Sequence, residues 1–99
     1  MTQEPSYDVV QVPERSRYEA RVEDGTVIGT ADYVRRDGVV EFPHTVVPPQ
    51  HEGRGVASAL ARRALDDARA EGLGVVPTCW FFDGWIERHP DYQDLVARL

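Results

Sequence analysis

The chain has 99 residues, enough for one domain with a single hydrophobic core and too few for a second domain of ordinary size. Its 41% apolar and 28% charged residues are those of a folded globular protein, and a formal charge of −6, from 17 acidic against 11 basic residues, works against nucleic acid and anionic lipid as partners. No apolar run approaches the roughly 20 residues that cross a bilayer, and the first residues lack the order of a signal peptide. One cysteine, Cys79, excludes an internal disulfide and fits a reducing setting, so a cytoplasmic location is expected.

Residues 1–6 are polar and without period, which predicts a loose N-terminus ahead of a domain spanning residues 7–99. Tyr7 to Pro13 is a short β-type run, and Arg17 to Glu23 alternates with period two, placing Tyr18, Ala20 and Val22 on one buried face. Asp24-Gly25 is a hairpin signal for a type I′ turn, with positive φ at both positions, and Thr26 to Val34 returns antiparallel. Arg36, Asp37 and Gly38 make a second turn into a strand over Val39 to Val47, in which Val40, Phe42, His44 and Val46 point one way. Pro48-Pro49 ends this fourth strand, because neither proline donates to a ladder.

From Arg54 to Glu71 the period becomes helical: Ala57, Leu60, Ala61, Ala64, Leu65 and Ala68 recur at three- and four-residue steps. Arg62 with Asp66 and Arg63 with Asp67 form exposed pairs four apart, and Gly72 suits the left-handed position after the helix. Gly74 to Cys79 is β-like, Phe82 to Arg88 a brief helix, and Pro90 to Arg98 a last helix pinned to the core by Tyr92, Leu95, Val96 and Leu99. The order is four antiparallel strands, a helix, one further strand and two short helices, an α/β (α+β) arrangement.

Gln50, Gly53 and Gly55 stand where a strand ends and a helix begins, and there free backbone N–H groups and the helix dipole make an anion site. Glycines let backbone approach phosphate oxygens, and Arg54 adds a cation. A plain strand-to-helix turn would use the same residues. A Walker loop is excluded because the chain has no lysine, and a dinucleotide fingerprint because four antiparallel strands precede the turn.

The run Val46-Val47-Pro48-Pro49-Gln50-His51-Glu52-Gly53-Arg54-Gly55-Val56-Ala57 resembles the acetyl-CoA signature of the GNAT N-acetyltransferase superfamily, Gln/Arg-x-x-Gly-x-Gly/Ala. The order of elements agrees over most of the chain. The short length, His44-Thr45 before the signature, and Pro77-Thr78-Cys79-Trp80-Phe81 and His89-Pro90-Asp91-Tyr92 after it, resemble the minimal single-domain, YjdJ-like branch. The resemblance implies a GNAT-like mixed sheet whose last parallel strand splays from its neighbour. It implies acetyl-CoA as co-substrate, with its pyrophosphate on backbone N–H groups from His51 through Val56. It implies a pantetheine arm paired with the backbone of Val46 and Val47. Pro77, without a donor, fits a strand edge that has parted from its neighbour.

Acetyl transfer to an amine needs removal of a proton, donors for the oxyanion and a proton for the departing thiolate. Cys79, at the end of the last strand, is a candidate acetyl carrier if its pKa is lowered, and His44 a candidate base or activator. The structural alternatives are a small buried thiol for Cys79 and a core histidine for His44. His51 is read as solvent-facing, His89 as a cap and Tyr92 as core, with proton donation to the thiolate as the alternative for Tyr92. Trp80, Phe81, Phe82 and Trp85 are read as packing. The spacing of His44, Cys79 and His89 matches no zinc pattern, so no metal is expected. Two functions follow: an N-acetyltransferase for a small amine or exposed amino group, or a non-catalytic acyl-CoA-binding or interaction module. A free strand edge or the aromatic segment around Trp80 offers a surface for a homodimer.

Overall fold

The computed structural model describes residues 7–97; the expected loose N-terminus, Arg98 and Leu99 lie outside the described residues. Strands β1 (Tyr7–Val12), β2 (Arg17–Val22), β3 (Val27–Arg36) and β4 (Val39–Val46) form the expected antiparallel meander, and β5 (Gly74–Val76) adds parallel to β4 in the order β1-β2-β3-β4-β5. The crossover that a parallel pair requires is supplied by α1 (Val56–Ala70), followed after β5 by α2 (Trp80–Glu87) and a 3-10 segment over Pro90–Leu95. Among the described residues no helix is long and apolar enough to cross a membrane.

The α1 stripe buries Val56, Leu60, Ala61, Ala64, Leu65 and Ala68 against the sheet. The sheet meets it with a floor of small residues, Ala20, Gly29 and Ala31, which lie opposite one another across the strands or one pair along. Close approach is forced at Gly29, where an added Cβ would stand 2.7 Å from Val56 Cγ1 and 3.3 Å from Leu60 Cδ1. The helix ends as expected: Gly72 takes φ of 70°, Leu73 N–H reaches back to Ala68 O at 2.9 Å and Gly72 N–H to Arg69 O at 3.1 Å. Of the two predicted pairs on α1, Arg63–Asp67 forms at 3.1 Å, whereas Asp66 and Arg62 both turn to the Tyr92 hydroxyl.

Five local expectations are corrected. The hairpin after β2 has positive φ only at Gly25, because the Asp24 carboxylate accepts the Thr26 N–H at 2.8 Å and Gly25 N–H closes a turn on Val22 O; this is a type I turn followed by a left-handed glycine. β5 stops at Val76, ahead of the donor-less Pro77, and α2 begins two residues early because the Cys79 carbonyl accepts the Asp83 N–H. The terminal helix is a 3-10 segment that gives way to extended chain: Val96 bridges in parallel to Val75 and Ala97 N–H donates to Val75 O at 2.8 Å, so the open edge of β5 captures this backbone. Finally, β4 bulges. Asp32 pairs with His44 but Val34 with Glu41, so Phe42 and Pro43 together oppose the single residue Tyr33. Pro43, lacking an N–H, is tolerated in such a bulge. The alternation slips by one, and His44 and Val46 do not share the direction of Val40 and Phe42.

α1, α2 and the C-terminal 3-10 segment pack through one continuous core, which includes Phe42 stacked on Phe82 at 4.5 Å. On the opposite face, Glu19 is 2% exposed, roofed by Arg17 and Arg21, whose guanidinium groups lie 2.7 Å from its two oxygens. Burial by itself raises this carboxyl, but the hydrogen bonds from Arg21 and Arg17 outweigh it and hold Glu19 below its ordinary value of 4.5.

Two stability predictions follow from this packing. Gly29→Ala should cost about 1–3 kcal/mol by overpacking the sheet–helix contact, read from the shift of a urea midpoint at constant slope. Glu19→Gln should cost about 1–3 kcal/mol at neutral pH, where the charged pairs are made. Because the folded pKa is depressed, that contribution is present above the ordinary carboxylate value and is lost as pH falls through the folded one. The stability gap between wild type and variant should therefore narrow below about pH 4.5; a gap independent of pH would contradict the assignment.

Candidate active site

The 3-10 turn Pro49–His51 uses its own amides: His51 N–H donates to Pro48 O at 2.8 Å and Glu52 N–H to Pro49 O at 3.2 Å. The next six residues do not. Gly53 and Gly55 take φ of 83° and 75°, the first bond of α1 runs from Ala59 N–H to Gly55 O, and no side chain caps the helix. Among the described residues the N–H groups of Gly53, Arg54, Gly55, Val56, Ala57 and Ser58 therefore have no protein acceptor. Such a run at a helix N-terminus is an anion site by geometry and by dipole. The expected run from His51 through Val56 is shifted toward the helix, because the proline-started turn consumes the amides of His51 and Glu52.

This turn forms one wall of a cleft of about 540 Å³. Gly53, Gly55, Val56, Ala57 and Ser58 line it with His51 and Glu52, while Thr45 and Val47 continue the wall along β4. Gln50, Arg54 and Val46 are exposed and lie outside the lining, Val46 with 58% of its surface in solvent. The cleft opens where β4 and β5 part: their pairing ends at Glu41 opposite Val76, and the last link is Cys79 N–H to Phe42 O at 2.9 Å.

The opposite wall is a stripe of α2 and its end, Phe81, Trp85, Arg88 and His89, with Trp80 at the rim, 83% exposed. Reading these aromatics as packing is half right. Phe82 is fully buried and Trp85 1% exposed, yet one side of Trp85 faces the cleft. Their spacing, i, i+4, i+7 and i+8 from Phe81, was the signal for a wall. Trp85 Nε1 donates to Ser58 Oγ at 2.8 Å and ties the two walls together, while Arg62 lies over its ring at 5.3 Å and His89 stacks on it at 3.7 Å. His89 Nδ1 lies 2.7 Å from Trp85 O; a carbonyl only accepts, so Nδ1 carries the proton and Nε2 is the free ring nitrogen. His89 is thus placed on the cleft, and its side chain does not cap the 3-10 segment.

Cys79 sits behind the inner end of the cleft, 8% exposed, with its thiol 3.6 Å from Thr45 Oγ1. The bulge makes this contact: it turns Thr45 and Val47 inward and His44 outward. His44 is exposed, does not line the cleft and is not the residue that meets Cys79. Tyr92 is not on the cleft either. It donates to Asp66 Oδ1 at 2.7 Å, and that bond with burial raises its phenol above the ordinary value, so its proton is committed to the contact between α1 and the C-terminal segment. His51 lines the cleft, and its Nδ1 is buried without a partner. His44, Cys79 and His89 do not converge; no three metal-ligating side chains among the described residues do.

The profile of the GCN5-related N-acetyl-transferase family matches residues 17–95. Protein NATD1 of chicken (Gallus gallus) is 38% identical over 52 residues, 52% of this chain and 47% of that protein, and the zebrafish (Danio rerio) protein 36% identical over 59 residues, 58% and 54%. The chain thus spans about half the length of these relatives. The solution structure of a GCN5-like candidate N-acetyltransferase from Staphylococcus aureus superposes with a TM-score of 0.71 at 22% identity, over 93% of this chain and 89% of that one. The crystal structure of a candidate acetyltransferase from Deinococcus radiodurans gives 0.56 at 21%, over 100% and 89%. At these identities the two structures speak for the fold. A glycine turn with free amides, a parallel pair that parts beside it and a family profile over most of the residues lead to one conclusion: the chain belongs to the GCN5-related N-acetyl-transferase family.

Proposed function

We propose that the chain is an acetyl-CoA-dependent N-acetyltransferase acting on a small amine or an exposed amino group. The carrying observation is the run of free amides from Gly53 to Ser58 on a cleft lined at its inner end by Thr45, whose hydroxyl meets the Cys79 thiol behind the wall. In this reading the pyrophosphate rests on those amides, the pantetheine arm runs along Val47 and Thr45, and the thioester stops beside Cys79. Phe81 and Trp85 shield the arm from water. The placement in a minimal, YjdJ-like branch belongs to the same proposal, as does a reducing, cytoplasmic setting for the unpaired thiol.

Two routes lead to product. In direct transfer the neutral amine attacks the thioester carbonyl, its C–N bond forms, the C–S bond to coenzyme A breaks, and the amine proton passes to base while the thiolate leaves. In the covalent route the Cys79 thiol gives up its proton and its sulfur attacks first, the C–S bond to coenzyme A breaks and the departing thiolate takes up a proton. The amine then attacks the acetyl-cysteine, the bond from the Cys79 sulfur to the acetyl carbon breaks, and the amine proton returns to the cysteine. Thr45, as the hydrogen-bond partner of the thiol, holds Cys79 in place for this route. His44 retains a role only for an acceptor arriving on the outer face of the sheet, where Asp32 stands opposite it across the ladder.

The second reading, a non-catalytic acyl-CoA-binding module, draws support from one observation: the helices α1 and α2 and the C-terminal segment share one face, so among the described residues no helix walls an acceptor pocket on the other. It predicts binding without turnover.

Calorimetry should give submillimolar binding of acetyl-CoA, and its absence would sink both readings. Gly55→Ala should weaken binding several-fold, since a left-handed φ costs an alanine about 1 kcal/mol and moves the amides. Release of free coenzyme A dependent on amine, across a panel of amines, separates transferase from binding module. Intact mass after incubation with acetyl-CoA should show one acetyl group that is absent in Cys79→Ala; an unmodified wild type would favour direct transfer.

A further inference from the structure

This protein is acidic overall, and its arginines are mostly spoken for: six of them pair with carboxylates within 3.1 Å. Arg88 is different. It lines the cleft on the wall facing the free amides, and its guanidinium has neither a carboxylate nor any other hydrogen-bond acceptor among the described residues. Asp83 and Glu87 share its helix without engaging it, and Glu52, the carboxylate on the cleft wall, belongs to the opposite turn. A second observation concerns Gly84. A glycine inside an eight-residue helix costs about 1 kcal/mol relative to alanine, and packing does not demand one here: the single heavy atom within 4 Å of an added Cβ is Arg88 NH1, at 3.2 Å. Gly84 thus leaves a seat along α2 for the guanidinium, which folds back over it beside the cleft.

We infer that Arg88 is a phosphate-binding side chain, set on α2 to grip a phosphate of coenzyme A from the wall opposite the glycine turn. This rests on the coenzyme reading above and adds to it a specificity element that the turn alone does not contain. Backbone amides bind any oxyanion of suitable shape. A planar guanidinium adds charge and a bidentate fork, which favours a phosphorylated ligand over a neutral pantetheine fragment. The ligand then bridges the walls and supplements the Trp85–Ser58 bond at the same junction. The shared chemistry is a phosphate; coenzyme A offers a pyrophosphate and a 3′-phosphate, and the test separates them.

The experiment titrates coenzyme A and 3′-dephospho-coenzyme A into wild type, Arg88→Gln, Arg88→Lys and Arg15→Gln at one ionic strength, with thermal midpoints as a folding control. Arg15, exposed in the 3-10 turn Pro13–Arg15, loses the same charge away from the cleft and should bind as wild type does. Arg88→Gln should weaken coenzyme A about 10- to 100-fold, the worth of a hydrogen bond to a charged group. Arg88→Lys should recover part of that loss. A loss equal for both ligands puts Arg88 on the pyrophosphate, and a loss confined to coenzyme A puts it on the 3′-phosphate; either supports the inference. Wild-type affinity in a folded Arg88→Gln overturns it while leaving the coenzyme reading intact. A loss matched by Arg15→Gln overturns it as a bulk charge effect, and a wild type that binds neither ligand overturns both.

Discussion

The parallel ladder between β4 and β5 lasts only from Val39–Gly74 to Glu41–Val76, and the cleft exists because it stops there. Pro77 cannot carry the ladder further, and Thr78 N–H turns back on Val76 O. The Glu41 carboxylate, held below its ordinary value by the hydrogen bonds of Thr78 and Arg36, clamps the last rung. One further bond, Cys79 N–H to Phe42 O, fixes the direction in which α2 departs. Beyond it the inner edge of β4 is left to face α2 across open space, and Thr45 and Val47 become wall residues.

What faces that space depends on the bulge. Without the extra residue at Phe42-Pro43, strict alternation would present His44 and Val46 to the cleft and Thr45 to the outer face. With it, the thiol of Cys79 meets a hydroxyl, and the histidine stands on the other side of the sheet beside Asp32. Gly29 works at the same junction from beneath: its missing side chain lets Val56 and Leu60 settle on the sheet, which sets the height of the first turn of α1 and its amides.

An acidic chain that offers an anion site is not a contradiction. The site is built from peptide dipoles, whose field acts within the first turn of the helix, whereas the net charge is spread over the surface and screened within about 10 Å at ordinary salt. Paired arginines neutralise carboxylates elsewhere, so the local field of the cleft is set by its amides, by Arg88 and, against them, by the Glu52 carboxylate.

The order of elements, the α1 face from Leu60 to Ala68, the left-handed Gly72 and the glycine turn were legible in the sequence, because each depends on local chemistry: side-chain period, a residue without Cβ, a proline without N–H. At the start of α1 Val56 is buried and the expected Ala57 instead lines the cleft. Side-chain direction along β4 was not, since period two holds only while the pairing stays in register, and Pro43 was the one local hint that it breaks. The 3-10 ending was hidden for a similar reason: Tyr92, Leu95 and Val96 keep a helical spacing, but the open edge of β5 offered the backbone of Val96 and Ala97 a better partner. Sequence alone therefore determined the glycine turn and its place at the start of a helix. Tertiary structure decided which amides stay free, which side chains line the cleft in front of Cys79, and that α2 faces the turn, because those depend on contacts between segments more than 20 residues apart, such as Trp85 to Ser58 and Cys79 to Thr45.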